Sequence, residues 1–466
     1  MNVLLLSTYD LGHQPFALAS LCSHLIADGA DVICNDISIE PLNSKAVKSS
    51  SLIAVHLAMH TATRLALDIL PKLKFLNPTA HYCFFGLYAP MTAKLLENEK
   101  NMTFIGGEFE TGLVVLHSTL LELGAADKLD RSSNILKKHT FQIPNRSQLP
   151  PLSNYAYLEE PNGDHVTAGY TEASRGCKHL CRHCPVVPVY DGRFFIVPKD
   201  IVLEDIRQQV ALGAGHISFG DPDFFNGPKH GIGIIKDLNK EFPDLGYDVT
   251  IKIEHLLNHR TLLTVLKETG CRFITTAVES VDDDVLLKLD KGHTRSDFIE
   301  AVDITNRLGL ALSPTFIPFT PWTTVVKYRE LLRTIADLGM ISHVAPVQLS
   351  IRLLIPLGSR MMELGEIKTH VEDFDHEALS YPWEFSDPAV QDLANCVRMI
   401  VDADEQTGQT RKQTFSKLWE AAHKADGAEM LKSIDHYIPG EIHQMPKMSE
   451  PWYCCAEPNN RQIQQI

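Results

Sequence analysis

No apolar run in this 466-residue sequence approaches the ~20 residues that a membrane-spanning helix needs. The opening residues, MNVLLLSTYD, lack the basic segment of a secretory signal peptide and predict a buried strand instead. Positive charge is also scarce, since 43 Lys and Arg face 58 Asp and Glu. An acidic chain has no general attraction for nucleic acid or anionic lipid. We therefore expect a cytoplasmic protein with neither a membrane nor a nucleic-acid partner.

Short apolar segments alternate with helical spacing over the first 140 residues. Buried strands are predicted in five segments, which are 3–6, 31–37, 51–57, 81–88 and 102–107. This alternation is typical of a doubly wound parallel sheet, and we expect a Rossmann-like α/β domain over residues 1–140. Ligands bind such sheets at the carboxyl ends of the strands. The loops there are rich in glycine and small polar residues, a composition that fits a binding edge and ordinary turns equally.

A second alternating series follows a polar, proline-containing stretch. Residues 141–164 predict a linker, and residues 165–365 contain helix–strand units of roughly 25–35 residues. Such units predict a partial (β/α)6 barrel of the TIM type, with a last strand near 347–356 and its chemistry at the carboxyl ends of the strands. Residues 366–466 are less regular and are treated as a C-terminal extension.

Three of the ten cysteines fall within eight residues, as Cys177, Cys181 and Cys184. Three thiolates can hold three irons of a cubane [4Fe–4S] cluster, which leaves the fourth iron free to bind a small molecule. The same loop contains His179 and His183, and three cysteines with one histidine also form structural zinc sites. The spacing thus leaves two hypotheses open, an iron–sulfur enzyme and a zinc-stabilised, non-enzymatic α/β binding protein.

The C-x3-C-x2-C spacing at the end of a first barrel strand resembles the signature of the radical S-adenosylmethionine (SAM) enzymes. In that family the residue before the third cysteine is usually aromatic, and here it is His183. The resemblance covers most of residues 165–365. It implies a [4Fe–4S] cluster on the three cysteines that cleaves SAM reductively and yields a 5′-deoxyadenosyl radical. That radical would modify an unknown small molecule or peptide, and a flavodoxin- or ferredoxin-type protein would supply the electron.

The same resemblance implies residues that contact SAM. Gly220 and Asp221 stand where the family usually has Gly-Gly-Glu, which holds the amino group of the methionine portion. Glu254 stands where a polar contact to the ribose is common, Glu279 closes the next strand, and Arg352 is a candidate partner of the SAM carboxylate. Each has a structural alternative: Asp221 as a turn cap, the two glutamates as solvated strand ends, and Arg352 as a salt-bridge partner.

Residues 1–140 resemble the B12-binding-like domain that precedes many radical SAM cores. In that family a Gly-Glu-Gly-Glu stretch commonly closes the domain, and residues 106–108 (GGE) are a near match. The D-x-H-x-x-G motif, which supplies a histidine to cobalt, is absent, because Asp10 and His13 have a different spacing. The resemblance therefore leaves two alternatives, a cobalamin-binding domain and one that has lost the cofactor. His13, His56 and His60 are more typical of ordinary histidines than of cobalt ligands.

Residues 451–458 read PWYCCAEP and resemble the tail of the radical SAM (seleno)proteins named for their CUAEP or CCAEP ending. Some members carry selenocysteine at the position of Cys455. We expect Cys454 and Cys455 to form a reactive pair that acts as a nucleophile, a redox couple or a ligand for a soft metal, with Glu457 as a proton acceptor. The alternative is a solvent-exposed tail with two idle thiols.

Overall fold

The computed structural model describes residues 1–126, 129–427, 434 and 445–450. Its first unit is a parallel sheet of six strands. The strands are β1 (Asn2–Ser7), β2 (Asp31–Asp36), β3 (Leu52–His56), β4 (His81–Phe85), β5 (Met102–Gly107) and β6 (Ser132–Ile135). The helices between them are α1 (Phe16–Ala27), α2 (Ser44–Ser49), α3 (His60–Leu76), α4 (Ala89–Leu95) and α5 (Phe109–Leu123).

The strand order is β2-β1-β3-β4-β5-β6, so the order reverses between β1 and β3. Apolar residues of α1 and α5 pack on one face of this sheet, and those of α2 and α3 pack on the other. Because both faces are covered, β3 and β4 are buried at every position and read as continuous apolar runs. A reversal of this kind opens a crevice at the carboxyl ends of the strands.

The second unit begins with an antiparallel pair and continues as a parallel sheet. Its strands are β7 (Tyr157–Glu159), β8 (His165–Thr171), β9 (Ser174–Gly176), β10 (Phe194–Ile196), β11 (His216–Phe219), β12 (Gly246–Thr250), β13 (Cys271–Glu279), β14 (Ala311–Phe316) and β15 (Lys447–Met448). The sheet order is β14-β13-β12-β11-β8-β7-β15, and β9 pairs with β10 in a separate ribbon. Within this sheet, β8, β11, β12, β13 and β14 are parallel and form a curled half-barrel. At its edge, β7 pairs antiparallel with both β8 and β15.

The second part also contains helices, most of which pack apolar residues against the strands of the half-barrel. They are α6 (Val187–Tyr190), α7 (Lys199–Ala211), α8 (Pro228–Glu241), α9 (Ile253–Asn258), α10 (Arg260–Glu268), α11 (Asp283–Leu289), α12 (Arg295–Leu308), α13 (Val325–Asp337), α14 (Pro388–Thr407) and α15 (Arg411–Ala425). Short 3-10 turns lie at 152–154, 224–226, 346–349, 360–363 and 367–369. Phe415, Leu418 and Trp419 of α15 belong to the same apolar core as the sheet, so the C-terminal helices are part of its packing.

The predicted fold class is confirmed, a Rossmann-like sheet followed by a partial barrel, but two predicted strands are wrong. The segment 347–356 is irregular: a 3-10 turn covers Pro346–Leu349, and Arg352 makes a single bridge to Phe319. Pro346 has no N–H to donate to a neighbouring strand, which disfavours regular pairing there. The run VTIKIEHL at 249–256 also predicts a strand, but the strand there ends at Thr250 and the second half of the run lies in α9. That apolar run fits both periods, because Ile253 and Leu256 also share one helix face.

The predicted linker contributes to the second sheet, because β7 lies within residues 141–164. Its outer edge pairs with β15 from the C-terminal extension, with Lys447 opposite Glu159 and Met448 opposite Leu158. Nζ of Lys447 lies 3.3 Å from Oε2 of Glu159. Among the helices of the described residues, none is long and apolar enough to cross a membrane.

His60 joins the N-terminal sheet to the C-terminal part. It is buried at the start of α3, and its Nε2 lies 2.8 Å from the carbonyl oxygen of Ala378. Burial lowers the pKa of His60 from 6.5 to about 4. Below pH 6.5 the histidine of the unfolded chain takes up a proton, whereas that of the folded chain does so only near pH 4. The stability that the neutral, buried His60 contributes is therefore present above pH 6.5 and is lost as the pH falls towards 4.

We expect the free energy of unfolding to fall less between pH 7 and pH 5 in a His60→Gln variant than in the parent protein. Glutamine keeps an N–H for the Ala378 carbonyl but does not titrate. Urea unfolding at the two pH values measures the difference. An equal fall in both proteins would contradict the assignment of this titration to His60.

Candidate active site

The three clustered cysteines lie on the loop between β9 and α6. Gly176 ends β9 with φ +73°, and a Cβ there would come 2.5 Å from the carbonyl oxygen of Arg193, so the turn into the loop requires glycine. Cys177 and Cys181 are buried and Cys184 is half-buried, and all three line one cavity. The structure thus directs three thiols of one short loop into a common space.

Two polar side chains approach the sulfurs. Nζ of the buried Lys252 lies 3.7 Å from Sγ of Cys181, and Oδ1 of Asn226 lies 3.8 Å from Sγ of Cys177. Burial raises the pKa of the Cys177 thiol, so that burial alone disfavours its thiolate. A buried ammonium beside Cys181 offsets the negative charge that metal-bound thiolates carry.

The cavity lies between the carboxyl edges of the two sheets. From the first sheet it receives the loops after β1, β3, β4 and β5, with residues such as His13, Met59, Tyr88 and Phe109. From the half-barrel it receives the cysteine loop and the ends of β8, β11, β12 and β13. The edge at which Rossmann-like sheets bind ligands therefore faces the edge at which barrels carry out chemistry.

Asp221 and Gly220, which we predicted from the sequence, both line this cavity. One carboxylate oxygen of Asp221 accepts from the backbone N–H of Ala173 (2.9 Å) and the other from the hydroxyl of Ser174 (2.5 Å). Burial raises the pKa of Asp221 to about 7. A Cβ at Gly220 would come 1.8 Å from the phenol oxygen of Tyr170, so glycine is required there. Asp221 therefore braces the chain just before the cysteine loop.

Glu279 also lines the cavity, at the end of β13. Its φ is +68°, and the pairing register of β13 shifts between Ala277 and Glu279. Oε1 of Glu279 lies 3.3 Å from Nε2 of His183 and 3.4 Å from Nζ of Lys291. Burial alone would raise the pKa of Glu279, but Lys291 and His183 lower it to about 2. A strained backbone thus directs a buried carboxylate at the cysteine loop, and its partner there is His183, which stands where the family usually has an aromatic residue.

Glu254 and Arg352 are not among the residues that line the cavity. Glu254 lies in the first turn of α9, with Oε2 3.7 Å from Nδ1 of His179. The guanidinium of Arg352 lies 4.3 Å from the ring centre of Trp383 and 5.0 Å from that of Phe385, and it donates to the carbonyl of Trp383. The structure therefore does not bring Arg352 to the cysteines. Cys454 and Cys455 lie outside the described residues.

Sequence reasoning missed Arg175, which is buried two residues before Cys177. Its Nη2 lies 2.7 Å from Oε1 of Glu110, its Nε donates to Glu172 (2.6 Å), and its Nη1 lies 3.8 Å from Oε2 of Glu108. Burial raises the pKa of Glu108 to about 7, whereas Arg175 overcomes the effect of burial at Glu110 and lowers its pKa to about 2. Through its ion pairs with Glu108 and Glu110, Arg175 thus links the end of the first sheet to β9, the strand that leads into the cysteine loop.

Two histidines of the first sheet line the cavity, and a third does not. His13 stacks on Tyr170 with 4.6 Å between ring centres, and His56 stacks on Phe85. Burial lowers the pKa of His13 to about 4 and that of His56 to about 3, so both are neutral at pH 7. His60 instead contacts the C-terminal part.

Comparison with known proteins agrees with this geometry. Residues 171–335 match the radical SAM superfamily. An uncharacterized methyltransferase of Pyrococcus horikoshii is 24% identical over 177 residues, which are 38% of each chain. The aligned region thus spans less than two fifths of that curated relative.

Two solved structures share the fold over most of this chain. One is the cobalamin-dependent SAM radical enzyme OxsB with aqua-cobalamin bound, with a TM-score of 0.66 and 16% identity over 86% of this chain and 67% of OxsB. The other is the radical SAM methyltransferase TsrM of Kitasatospora setae with cobalamin and a [4Fe–4S] cluster bound, with a TM-score of 0.58 and 15% identity over 72% of this chain and 70% of TsrM. The family match identifies residues 171–335 as a radical SAM domain, and the two solved structures show the fold that the chain shares.

Proposed function

We propose that this protein is a cobalamin-dependent radical SAM enzyme that transfers a methyl group to its substrate. The observation that carries the proposal is the shared cavity, because three thiols of one loop and the ligand-binding edge of a Rossmann-like sheet open into the same space. Relatives and structural neighbours described as methyltransferases or as cobalamin-dependent support the same reaction class.

The residues present fit the groups that this reaction needs. Cys177, Cys181 and Cys184 would hold a [4Fe–4S] cluster, since they converge on one cavity and have the buried Lys252 beside them. A fourth cysteine does not line the cavity among the described residues, which would leave one iron for SAM. When bound, the cluster supplies the electron that cleaves SAM, and cobalamin carries the methyl group.

The chain's own side chains shape and dry the cavity. Asp221 and Glu279 fix the segments on either side of the thiols, and Arg175 holds the two sheets together at the rim. His13 and His56 are neutral imidazoles at the edge where cobalamin would lie, so they add no charge there. Apolar residues such as Met59 and Phe109 help to exclude water, which protects a radical reaction from quenching.

The test is anaerobic reconstitution of the full chain with iron, sulfide and cobalamin. We expect about four irons and one cobalamin per chain. After reduction we expect one SAM to give 5′-deoxyadenosine and methionine, and a second SAM, as the methyl donor, to give S-adenosylhomocysteine. Reduced flavodoxin or ferredoxin is the proposed physiological donor and should replace the chemical reductant. A protein that holds zinc on the three cysteines and leaves SAM intact would refute the proposal and favour the binding-protein alternative.

We further propose that the C-terminal thiols Cys454 and Cys455 act in the same cavity. Glu450, the last described residue before them, lines the cavity and accepts from the hydroxyl of Tyr9 (2.6 Å). Cys454 follows Glu450 by four residues, a length of chain that spans at most ~14 Å, and this short separation along the chain supports the proposal. A Cys455→Ser variant should therefore cleave SAM as the parent does but form no product from the substrate. Unchanged product formation, scored against a Cys396→Ser control, would contradict this role.

A further inference from the structure

Beside the cysteine loop, three metal-ligating side chains converge that the reaction above does not use. These are His179 from the loop itself, Asp223 from the segment after β11, and His255 from α9. Oδ2 of Asp223 lies 3.6 Å from Nε2 of His179 and 2.7 Å from Nδ1 of His255. One ligand atom from each residue lies within 4.8 Å of the other two. We refer to them as the His–Asp–His group.

The facing atoms of this group are buried and have no hydrogen-bond partners. Nε2 of His179, Oδ2 of Asp223 and Nδ1 of His255 all lack one among the described residues. Oδ2 of Asp223 and Nδ1 of His255 lie 2.7 Å apart in an orientation that does not meet hydrogen-bond geometry. Three buried polar atoms that face one another without a well-oriented hydrogen bond are costly, and native proteins seldom leave even one in that state. A cation between them would satisfy all three at once.

The remaining polar atoms of two members are already engaged, which aims the free atoms at one another. Oδ1 of Asp223 accepts from the backbone N–H of Phe225 (3.0 Å), so Oδ2 is the oxygen left over. Nδ1 of His179 faces Oε2 of Glu254 at 3.7 Å. A carboxylate on the far nitrogen favours the proton there and leaves the lone pair on Nε2, as carboxylates beside metal-binding histidines do.

We propose that His179, Asp223 and His255 form a divalent metal site separate from the three cysteines, with Glu254 orienting His179. Two imidazole nitrogens and one carboxylate oxygen suit zinc, which binds them at ~2.0–2.2 Å and accepts water as a fourth ligand. Small movements of the three side chains reach that geometry. The bound ion would link the cysteine loop to α9 and to the segment after β11. Because the site requires neither SAM nor cobalamin, this inference goes beyond the proposed function.

The test uses the full chain, anaerobically reconstituted with its iron–sulfur cluster and given one equivalent of zinc sulfate. After desalting, elemental analysis should find about one zinc per chain in addition to iron. X-ray absorption at the zinc edge should show only nitrogen and oxygen neighbours at ~2.0–2.1 Å and no sulfur at ~2.3 Å. The His255→Gln and His179→Gln variants should each lose at least about 90% of the zinc while keeping their iron.

His259→Gln is the matched control, because His259 lies one helical turn from His255, with ring centres 5.7 Å apart, and is outside the group. It should bind zinc as the parent does. Zinc unchanged in both test variants, a sulfur shell at the zinc edge, or less than about a tenth of an equivalent in the parent would each overturn the site. Iron content and circular dichroism identify a variant that fails to fold. In that case the zinc content of the other histidine variant tests the site.

The outcome is independent of the proposed function. Zinc bound by a protein that does not cleave SAM would refute the enzyme and leave the metal site standing. SAM cleavage by a protein that binds no zinc would refute the metal site and leave the proposed enzyme standing.

Discussion

Alanine in place of Cys181 is expected to abolish SAM cleavage and to reduce the iron content from about four to below one per chain. Cys181 is the thiol beside the buried Lys252, and it lies between the other two cysteines on the loop. Loss of a residue that merely supports a metal ligand already costs ~10–100-fold in metal affinity or activity. Loss of one of three ligands should exceed this, because two thiolates cannot hold a cubane cluster in place.

Cys396→Ala is the matched control for this variant. Cys396 is a free, exposed thiol in α14 and does not line the cavity, so its loss should leave iron content and SAM cleavage at the level of the parent. Iron and sulfide analysis, visible absorption and the yield of 5′-deoxyadenosine are compared in the three proteins. Full cleavage activity in the Cys181→Ala protein would show that the cluster is not held by this loop.

Methionine in place of Arg175 is expected to have the largest effect on stability, a loss of about 3–5 kcal/mol in the free energy of unfolding. Methionine keeps much of the volume but removes the charge that Glu110 and Glu172 face, together with the cation–π contact to Phe109 at 5.0 Å. The uncompensated buried carboxylates then carry a desolvation cost. Urea unfolding followed by tryptophan fluorescence measures the loss.

A surface arginine provides the contrast. Arg207 also pairs with two glutamates, Glu204 and Glu241, but these three side chains are between 36% and 41% exposed, so Arg207→Gln should cost far less stability than Arg175→Met. Adding Glu110→Gln to Arg175→Met should restore part of the lost stability, because it removes one unpaired charge. A single Arg175→Met variant as stable as Arg207→Gln would contradict the proposed coupling of the two sheets.

Much of the fold could be predicted because its signal is local. The all-buried strands of the first sheet appear in the sequence as short apolar runs, and the helical spacing of apolar residues over 14–28 predicts a helix where the structure has α1 (Phe16–Ala27). The cysteine loop is also local, since its spacing within eight residues needs no knowledge of the fold. The strand prediction for 249–256 was wrong in part, because the apolar residues of this segment satisfy both strand and helix periods. Tertiary packing favours the helix in its second half.

The parts of the site that the sequence did not predict are contacts between distant segments. His255 reaches Asp223 across 32 residues and His179 across 76, and Arg175 reaches Glu110 across 65. No spacing rule links such residues, because only the order and curl of the strands bring them together. Arg352 was expected near the cavity from its place in the chain, whereas two aromatic rings hold it elsewhere.

The pairing of β15 with β7 has a consequence for protein synthesis. β7 (Tyr157–Glu159) pairs with β15 (Lys447–Met448), so almost 290 residues separate these two paired strands in the sequence. Until the later segment emerges from the ribosome, the outer edge of β7 presents unpaired backbone groups, which are a template for aggregation. Recombinant chains truncated before Lys447 should therefore accumulate as inclusion bodies more readily than chains that retain it.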